Sequence, residues 1–468
     1  MKTFTLYANT KKILADTITP VSIYLKLRDI YPQTILLESS DYHSHTNSYS
    51  FICFKPVAGF IVHHKQITEN YPDGSTEVRD IKERQQAVKQ MNNFINRFRL
   101  KKNEDTHIID GIFGYCSYNA VRYFEDISLK SPVPGELHIP DIRYHLYKYI
   151  IAVNHFKNEL YLIENLFEGE MSDMDNILSL LRNRNFATYS FHPVGEEQSN
   201  LSDQEYIDMV SKGKKHCQRG DVFQIVLSRR FSMKFLGDDF NVYRTLRSIN
   251  PSPYLFYFDY GNYKIFGSSP ETQIEVKNNQ AIINPIAGTF RRTGDDFKDK
   301  ELAEKLANDP KENSEHIMLV DLARNDLSRT TDAVKVEKYR EIQFYSHVLH
   351  MVSKVSGQLR PHTNTIQIMA DSFPAGTLSG APKFKAMELI DTYENVARGY
   401  YGGSIGNIRL NGDINMAIMI RSFLSKDNTL YYQAGAGIVV DSKEENELQE
   451  VNNKLAALAS AIKMAKDI

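Results

Sequence analysis

The stretch IGNIRLNGDINMAIMIR, residues 405–421, has two short runs rich in branched apolar residues around Asn411-Gly412. Asn-Gly favours a type I′ turn, the tight turn of a β-hairpin, because both residues tolerate positive φ. The stretch therefore predicts an antiparallel hairpin. Taken alone, Arg421 would most simply form a surface salt bridge. Its place in the alternating series Asn415, Ala417, Met419 and Arg421 of the second strand instead favours a cleft.

Further strands surround this hairpin, and the helices are separate from them. TILLES (34–39) and YSFICF (49–54) predict short strands, and Tyr144–Val153 with Glu159–Ile163 predicts a strand pair. The other predicted elements are helices near Ile81–Phe98, Asp203–Arg219, Lys298–Asn308 and Lys311–Leu327, and strands near Val222–Ser232, Tyr254–Asp259 and Lys264–Phe266. Many hairpin strands with segregated helices favour an α+β fold over a doubly wound parallel sheet.

A polar stretch between Phe186 and Ser202 is the best candidate for a boundary. It divides the chain into an N-terminal region, residues 1–190, and a C-terminal region, residues 200–468. We expect the second region to carry the chemistry, because the motifs described below are concentrated there.

Composition excludes several classes of protein. The 468 residues carry a net charge of −2, so no basic field indicates nucleic acid or an anionic membrane. Three cysteines without CxxC spacing argue against a disulfide framework or a zinc site. No apolar run approaches the roughly 18 residues of a membrane helix, and the N-terminus lacks the apolar core of a signal peptide. The sequence thus predicts a soluble, cytoplasmic protein.

Two pairs of glutamates, Glu312/Glu315 and Glu447/Glu450, lie in stretches with helical character. A spacing of three residues puts both members of a pair on one helix face. Carboxylates from two helices suit Mg²⁺, which prefers oxygen ligands and leaves positions for water and an anionic substrate. These pairs predict a magnesium site.

A plainer interpretation of the same residues stays open. Asp309, Pro310 and Glu312 fit the N-cap, N1 and N3 positions of a helix, and Ser442 with Glu445 repeats the S-x-x-E capping pattern. Against it, an apolar stripe runs beside the second pair: Leu448, Val451, Leu455, Leu458 and Ile462. Glu447, Glu450 and Lys454 border that stripe, as residues at the edge of a cleft would.

Seven motifs occur in order over about residues 200–460. They are SSPET (268–272), PIAGT (285–289), ENSEHIMLVDLARNDL (312–327), FPAGTLSGAPK (373–383), YYGGSIG (400–406), AIMIRS (417–422) and QAGAGIVVDS (433–442). Together they resemble the chorismate-utilising enzymes. Upstream, LLES (36–39), GYCSYNAVRYFE (114–125) and NPSPYLF (250–256) resemble the large, aminating subunit of anthranilate synthase.

The resemblance implies an α/β sandwich of antiparallel sheets with the helices outside and the active site in a cleft of the C-terminal part. It implies Mg²⁺ bound by Glu315 and Glu450, with Glu312 and Glu447 acting through waters. The reaction it implies adds ammonia to C2 of chorismate while the C4 hydroxyl leaves, and then eliminates pyruvate to give anthranilate.

Roles for further residues follow from the same resemblance. Mg²⁺ and Lys454 would take the ring carboxylate, and Arg421 the enolpyruvyl carboxylate. Glu271 matches the acid that protonates the departing hydroxyl, and His350 matches a histidine that assists the elimination; alone, His350 would be a satisfied core residue. The remaining substrate contacts would come from Gly288, Thr289, Thr377, Tyr401, Gly435 and Gly437.

Two positions separate this chain from sister enzymes of the family. Aminodeoxychorismate synthases usually carry a lysine nucleophile where this chain has Ala287, and isochorismate synthases a lysine base where it has Gln224. Neither Ala nor Gln can do that chemistry, so ammonia should be the direct nucleophile. The alternatives are an aminodeoxychorismate synthase component I and a catalytically silent regulator that binds tryptophan or chorismate.

Two partners are expected. None of Cys53, Cys116 and Cys217 lies in a nucleophile-elbow sequence, so ammonia should come from a separate glutaminase subunit. LLES and NPSPYLF resemble the segments of a regulatory tryptophan site, which would be formed by Glu38, Ser39, Pro253, Tyr254 and Leu255. The chain contains no tryptophan, which is either chance or an adaptation to synthesis when tryptophan is scarce.

Overall fold

The computed structural model describes residues 2–39, 49–101, 110–183, 185–344 and 348–468, except the side chains of Glu136, Thr289 and Lys311. The strands of the N-terminal part are β1 (Phe4–Leu14), β2 (Ile35–Glu38), β3 (Tyr49–His63), β4 (Gln66–Asn70), β5 (Thr76–Asp80), β6 (Phe98–Lys101), β7 (Ile112–Cys116), β8 (Ile142–Asn154), β9 (Glu159–Leu166) and β10 (Phe191–Ser199). Those that follow are β11 (Gln224–Gly237), β12 (Tyr254–Asp259), β13 (Tyr263–Ser269), β14 (Thr272–Lys277), β15 (Gln280–Ile283), β16 (Ile286–Arg291), β17 (Thr331–Phe344), β18 (Val348–Leu359), β19 (Gly380–Ala381), β20 (Ser404–Ile408), β21 (Ile414–Ile418), β22 (Ser422–Lys426) and β23 (Thr429–Ile438).

The helices are α1 (Pro20–Leu27), α2 (Gln86–Ile95), α3 (Met174–Arg182), α4 (Asp203–Arg219), α5 (Phe240–Ile249), α6 (Asp296–Asn308), α7 (Pro310–Ser328), α8 (Thr365–Asp371), α9 (Gly376–Ser379), α10 (Lys383–Tyr393) and α11 (Glu444–Met464). No helix in the described ranges is both long and apolar enough to cross a membrane.

Two sheets share the long strands β3 and β8. One sheet runs β6-β1-β9-β8-β3-β2-β12-β13-β22-β23-β11-β10, and the other runs β5-β4-β3-β8-β7-β20-β21-β14-β15-β18-β17. Of these pairings only β1 with β6 is parallel. The β3–β8 register shifts between Pro56 and Ala58, and Lys55 has a φ of +59°. Such a bulge bends the strand, so β3 leaves one sheet here and enters the other.

The two sheets meet again at a second edge. β13 belongs to the first sheet and leads after two residues into β14 of the second. β21 of the second sheet leads after three residues into β22 of the first. Backbone bonds from Ser268 N to the Arg421 carbonyl and from Ile418 N to the Glu271 carbonyl hold the two crossings together. The crossings form a corner, which places Glu271 and Arg421 side by side.

Apolar side chains of both sheets pack between them, as alternation along each strand requires. This interior core includes Ile35, Phe256, Ile405 and Ile418. A second core joins the outer helices α4, α5 and α11 to the first sheet through Val210, Leu246 and Val451. On the second sheet α7 packs against β18, where His316 hydrogen-bonds Ser353 at 2.6 Å. The predicted α+β sandwich of antiparallel sheets is confirmed.

The prediction for the hairpin loop is right in part. The hairpin around Asn411-Gly412 is confirmed, but the type I′ turn is wrong, because only Gly412 of the two has positive φ, +92°. The loop is longer: Arg409 N donates to the Asp413 carbonyl, and Asp413 N donates to the Asn411 side chain. The loop is thus held by the side chain of Asn411, and Asn411 does not adopt the left-handed backbone conformation that a type I′ turn would need.

The two capping predictions have opposite outcomes. Asp309 accepts a bond from Glu312 N at 3.1 Å and caps α7 as expected. Ser442 does not cap α11, because its hydroxyl accepts from Val439 N at 3.0 Å and the N-cap is Lys443. The apolar stripe of α11 is buried as predicted, with Val451, Leu455, Leu458 and Ile462 in the core and Leu448 packed against it.

The polar stretch near residue 190 contains a strand that the sequence did not predict. β10 covers Phe191–Ser199 and pairs with β11. Strands from both sides of this stretch also join across it, since β2 pairs with β12 and β7 with β20. The division into residues 1–190 and 200–468 stays a prediction about function.

Candidate active site

Glu271 lies at the corner between β13 and β14, half-buried in the cleft. Its Oε1 accepts a hydrogen bond from Thr377 Oγ1 at 2.8 Å. Burial raises the pKa of Glu271 to about 7, although the Thr377 bond and the charges of Lys454 and Arg421 act in the opposite direction. At neutral pH this carboxyl group is therefore often protonated and can act as an acid.

Arg421 occupies the matching corner between β21 and β22. Its φ is +48°, so it is not the next residue of a regular strand, as the alternating pattern had predicted. The left-handed backbone ends β21 and turns the chain into β22. Nη1 donates to Asn250 Oδ1 at 3.4 Å. Burial lowers the pKa of Arg421, and Glu271 opposes that effect, yet a guanidinium stays charged at any ordinary pH.

Lys454 links α11 to β23. Its ammonium donates to the Gly435 carbonyl at 2.9 Å and pairs with Glu450 Oε1 at 2.8 Å. The Tyr401 hydroxyl also has a hydrogen bond with the Gly435 backbone, and burial raises the pKa of that hydroxyl. Gly435 is thus the point where a strand, a helix and a buried tyrosine meet.

Glu315 of α7 reaches the same strand two residues further along. Gln224 Nε2 donates to Glu315 Oε1 at 3.1 Å. A Cβ on Gly437 would lie 2.5 Å from Gln224 Nε2 and 3.5 Å from Glu315 Oε1. The absence of a side chain at Gly437 therefore gives the Gln224 amide and the Glu315 carboxylate room to form their hydrogen bond.

His350 and Gly288 lie on the paired strands β18 and β16. His350 Nδ1 is 3.1 Å from the Gly288 carbonyl, so Nδ1 carries the proton and Nε2 is left as a base. Burial lowers the pKa of His350 and keeps the ring neutral at pH 7. A Cβ on Gly288, whose φ is +67°, would lie 3.0 Å from Glu312 Oε2. Thr289 pairs with His350 in the β16–β18 ladder, and its side chain is outside the described atoms.

The four predicted metal ligands approach one region without forming a closed group. Glu315 lies beside Gly437, Glu450 beside the lysine that binds Gly435, and Glu312 beside Gly288. Glu447 is buried on α11, with 2% of its surface exposed. Among the described residues no three His, Cys, Asp or Glu side chains are close enough to hold a metal together. The donors are carboxylates, which fits Mg²⁺ chemically, and the magnesium site stays a prediction.

A separate cavity of about 140 Å³ lies between the two sheets. All five residues predicted for a tryptophan site line it: Glu38, Ser39, Pro253, Tyr254 and Leu255. The second sheet adds residues that the sequence did not reveal, among them Glu275, Asn407 and Asn415. Glu38 is buried, and its Oε1 accepts from the Tyr243 hydroxyl at 2.7 Å and Arg247 Nε at 2.9 Å.

Sequence reasoning missed the residues that hold the site in place. Arg398 is fully buried, pairs with Glu394 at 2.6 Å, and lies 5.7 Å from the ring centre of Tyr401. The i,i+4 spacing of Glu394 and Arg398 in YENVARGYY was the available signal. Asn250, the partner of Arg421, belongs to the quoted NPSPYLF motif, and only the fold brings it to the cleft.

Comparison with known proteins identifies the family. The family model for chorismate binding enzymes matches residues 33–460. This chain belongs to the chorismate binding enzymes.

Relatives within the family share nearly the full length of the chain. Anthranilate synthase component 1 of Aquifex aeolicus is 37% identical over 97% of this chain and 94% of its own length. That of Lactococcus lactis is 34% identical over 96% and 98%. The crystal structure of anthranilate synthase component I from Streptococcus pneumoniae superposes with a TM-score of 0.78 at 31% identity, covering 96% of this chain and 100% of the other. The menaquinone-specific isochorismate synthase of Escherichia coli has a TM-score of 0.74 at 18% identity, covering 98% and 95%, and shows the common fold alone.

Proposed function

We propose that this chorismate binding enzyme is the aminating subunit of an anthranilate synthase, which converts chorismate and ammonia to anthranilate and pyruvate. The observation that carries the proposal is the corner, where an acid with a raised pKa, Glu271, faces the cation Arg421. Chorismate is a dianion that must lose a hydroxyl. The corner offers a fixed positive charge and a proton side by side.

The substrate's two carboxylates need two positive centres. Arg421, steadied by Asn250, would bind the enolpyruvyl carboxylate with its planar fork, and Tyr401 with the Gly435 and Gly437 amides would complete that contact. Lys454 would take the ring carboxylate. Mg²⁺, held by Glu315 and Glu450 with Glu312 and Glu447 through waters, would supply the second positive centre when bound.

The two chemical steps use different groups. Glu271 protonates the C4 hydroxyl as ammonia forms the bond to C2, so that the oxygen departs as water. Thr377 fixes the orientation of this acid through its 2.8 Å bond. His350, neutral and with Nε2 available, assists the removal of a proton when pyruvate is eliminated. Gly288 holds the ring of His350 through its carbonyl.

Gln224 argues for amination over hydroxylation. It is a neutral amide that donates to Glu315, so it cannot abstract a proton from water as a lysine base would. Ala287 is buried in β16 and offers no nucleophile. These residues support anthranilate over isochorismate or 4-amino-4-deoxychorismate as the product.

A separate glutaminase subunit should supply ammonia. Burial raises the pKa of Cys116 to about 12 and of Cys217 to about 11, and that of Cys53 also lies well above its usual value. None of the three is a thiolate at neutral pH, and the thiolate is the nucleophile of a glutaminase. We therefore expect the isolated chain to use ammonium salts and not glutamine.

The deciding experiment is chromatography of a reaction containing the purified chain, chorismate, ammonium and Mg²⁺. Anthranilate and pyruvate should form in equal amounts. Isochorismate, salicylate or 4-amino-4-deoxychorismate as the main product would assign a sister activity. No turnover would favour a regulator that only binds chorismate or tryptophan. Replacing ammonium by glutamine in the same assay tests the need for a partner subunit.

A further inference from the structure

A small cavity adjoins the acid of the proposed reaction. Its volume is about 30 Å³, and its lining includes Glu271, Gln273, Asn284, Leu322, Asp326 and Thr377. This volume counts the space open to the centre of a water-sized sphere, and about 10–15 Å³ of such space is enough to hold one water. The cavity therefore has room for one water next to the Glu271 carboxyl group.

Gln273 gives this cavity a polar wall. The residue is 3% exposed, and its Nε2 donates to Ser372 Oγ at 2.8 Å. Its Oε1 is buried and accepts no hydrogen bond from any part of the chain that the structure describes. Buried carbonyl oxygens are nearly always paired with protein or ordered water, so this oxygen indicates a bound water.

The cavity borders a larger groove at the surface. Leu322 and Asp326 line both the cavity and a groove of about 680 Å³. Asp326 is 8% exposed and pairs with Lys383 Nζ at 2.9 and 2.8 Å. Lys383 also reaches the Ser372 carbonyl at 3.4 Å, so the ion pair lies next to the residue that holds Gln273. Leu322 and Asp326 therefore form a wall that the cavity and the groove share.

We propose that the cavity holds an ordered water, bound by Gln273 Oε1, and that this water and Asp326 form a route by which Glu271 regains its proton from the groove. The proposal rests on the acid role of Glu271 in the proposed function. It makes Gln273 and Asp326 positioning residues that act through the water.

The proton count shows why such a route is needed. Glu271 gives its proton to the C4 oxygen, the C4–O bond breaks with its electron pair on oxygen, and water leaves. The carboxylate must then take one proton per turnover, which the cavity water donates and replaces from the groove. The ammonia nitrogen, once bound to C2, releases one proton to solvent, so the exchange is balanced.

The other groups that face Glu271 do not supply this proton. They are Thr377 of α9, Tyr401, Arg421 at its corner and Lys454 of α11. Arg421 stays protonated at ordinary pH, and burial raises the pKa of Tyr401. Lys454 is already bonded to Glu450 and to the Gly435 carbonyl.

A high-resolution crystal structure of the full chain tests the site directly. A water within hydrogen-bond distance of both Gln273 Oε1 and Glu271 is expected. A dry cavity, or a water that does not contact Glu271, would overturn the proposal.

Gln273→Met tests the route, since it nearly keeps the volume and removes both polar atoms of the side-chain amide. With saturating chorismate and ammonium we expect kcat to fall roughly tenfold, less than the roughly 10²- to 10⁴-fold that the acid itself contributes, because Gln273 acts through a water. The KM for chorismate should stay within about twofold, and the solvent deuterium isotope effect on kcat should rise, since transfer to Glu271 becomes slower. The control is Gln358→Met, the same change at an exposed position of β18.

A Gln273→Met enzyme with the parent's kcat and isotope effect would overturn the route. Should the variant not fold, Asp326→Asn with Lys383→Gln, which replaces the ion pair by a neutral pair, is measured in the same way with the same expectation. Failure of the proposed function looks different, because the parent itself would then make no anthranilate.

Discussion

Glu271 and Arg421 depend on each other at the corner of the two sheets. Burial favours the neutral carboxyl group, and the neighbouring cations favour the carboxylate, which leaves the pKa of Glu271 near 7. A fully solvated glutamate would be too ionised at neutral pH to donate a proton. The raised pKa is thus a consequence of placing the acid where the strands change sheets.

Changing Glu271 to Gln should remove the acid at nearly constant volume. We expect kcat to fall by roughly 10²- to 10⁴-fold, the usual contribution of general acid catalysis. In the parent the active, protonated form predominates below pH 7 and is lost as pH rises through about 7. The measurement is kcat against pH at saturating free ammonia, since free ammonia itself increases with pH. A parent profile without a falling limb near neutrality, or a near-normal Glu271→Gln enzyme, would contradict the role.

Because residue 437 is glycine, Gln224 and Glu315 have room to form their hydrogen bond. A side chain at this position should therefore lower activity. In Gly437→Ala the new Cβ would lie 2.5 Å from Gln224 Nε2, so the amide must move away from Glu315. Activity at limiting Mg²⁺ should fall several-fold, while the thermal midpoint changes little, because the obstructing atom ends a flexible side chain. Mg²⁺ titrations of activity and thermal unfolding check both points. An unchanged Mg²⁺ dependence would show that Gln224 does not influence the metal site.

At the scale of elements, the packing of α11 against the core orients the site residues on that helix. Val451 and Leu455 bury one face, and this fixes the rotation of the helix so that Glu450 and Lys454 point toward β23. The sequence showed this stripe because it is local. It could not show the corner, since Glu271 and Arg421 become neighbours only through strand pairing between residues some 150 positions apart in the chain.

The difference between local sequence signals and contacts made only in the folded chain also explains which predictions about single elements were wrong. Periodicity predicted α4 and α7 nearly to the residue, because burial of one face decides a helix. Ser442 and Asn411 were assigned by local motifs, yet each uses its side chain for a competing bond, to Val439 N and Asp413 N respectively. The unpaired oxygen of Gln273 has no sequence signal, because it depends on the surroundings of the folded chain.

Helix α11 provides a matched pair of variants for the metal. Glu450→Gln removes one proposed ligand charge, and Glu445→Gln makes the same change at an exposed position of the same helix. Only Glu450→Gln should lower activity strongly and require more Mg²⁺ for half-maximal rate. Neither should shift the thermal midpoint much, since exposed or half-exposed charges contribute about 1 kcal/mol or less. Near-normal turnover of Glu450→Gln at low Mg²⁺ would remove Glu450 from the site.

In the whole molecule, the two sheets connect the cavity of Glu38 and Ser39 to the corner of Glu271 and Arg421. β12 forms a wall of that cavity and pairs with β13, which leads to Glu271. β21 contributes Asn415 and Ala417 to the same cavity and leads to Arg421. A ligand that changed the spacing of these strands would act on both residues of the corner together.

We predict that L-tryptophan inhibits the enzyme through this connection. The ligand's ammonium group would approach Glu38, Ser39 would hydrogen-bond it, and Pro253, Tyr254 and Leu255 would contact the indole. Ser39→Phe fills the cavity, so inhibition should weaken at least tenfold while uninhibited kcat stays near that of the parent, because allostery requires only a difference in affinity between two states. The measurement is turnover against tryptophan concentration, with direct tryptophan binding by calorimetry. A parent insensitive to millimolar-range tryptophan, or a Ser39→Phe enzyme as sensitive as the parent, would show that this cavity is not the regulatory site. Binding that Ser39→Phe abolishes, with no inhibition of the parent, would place the ligand here but break the proposed link through β12 and β21.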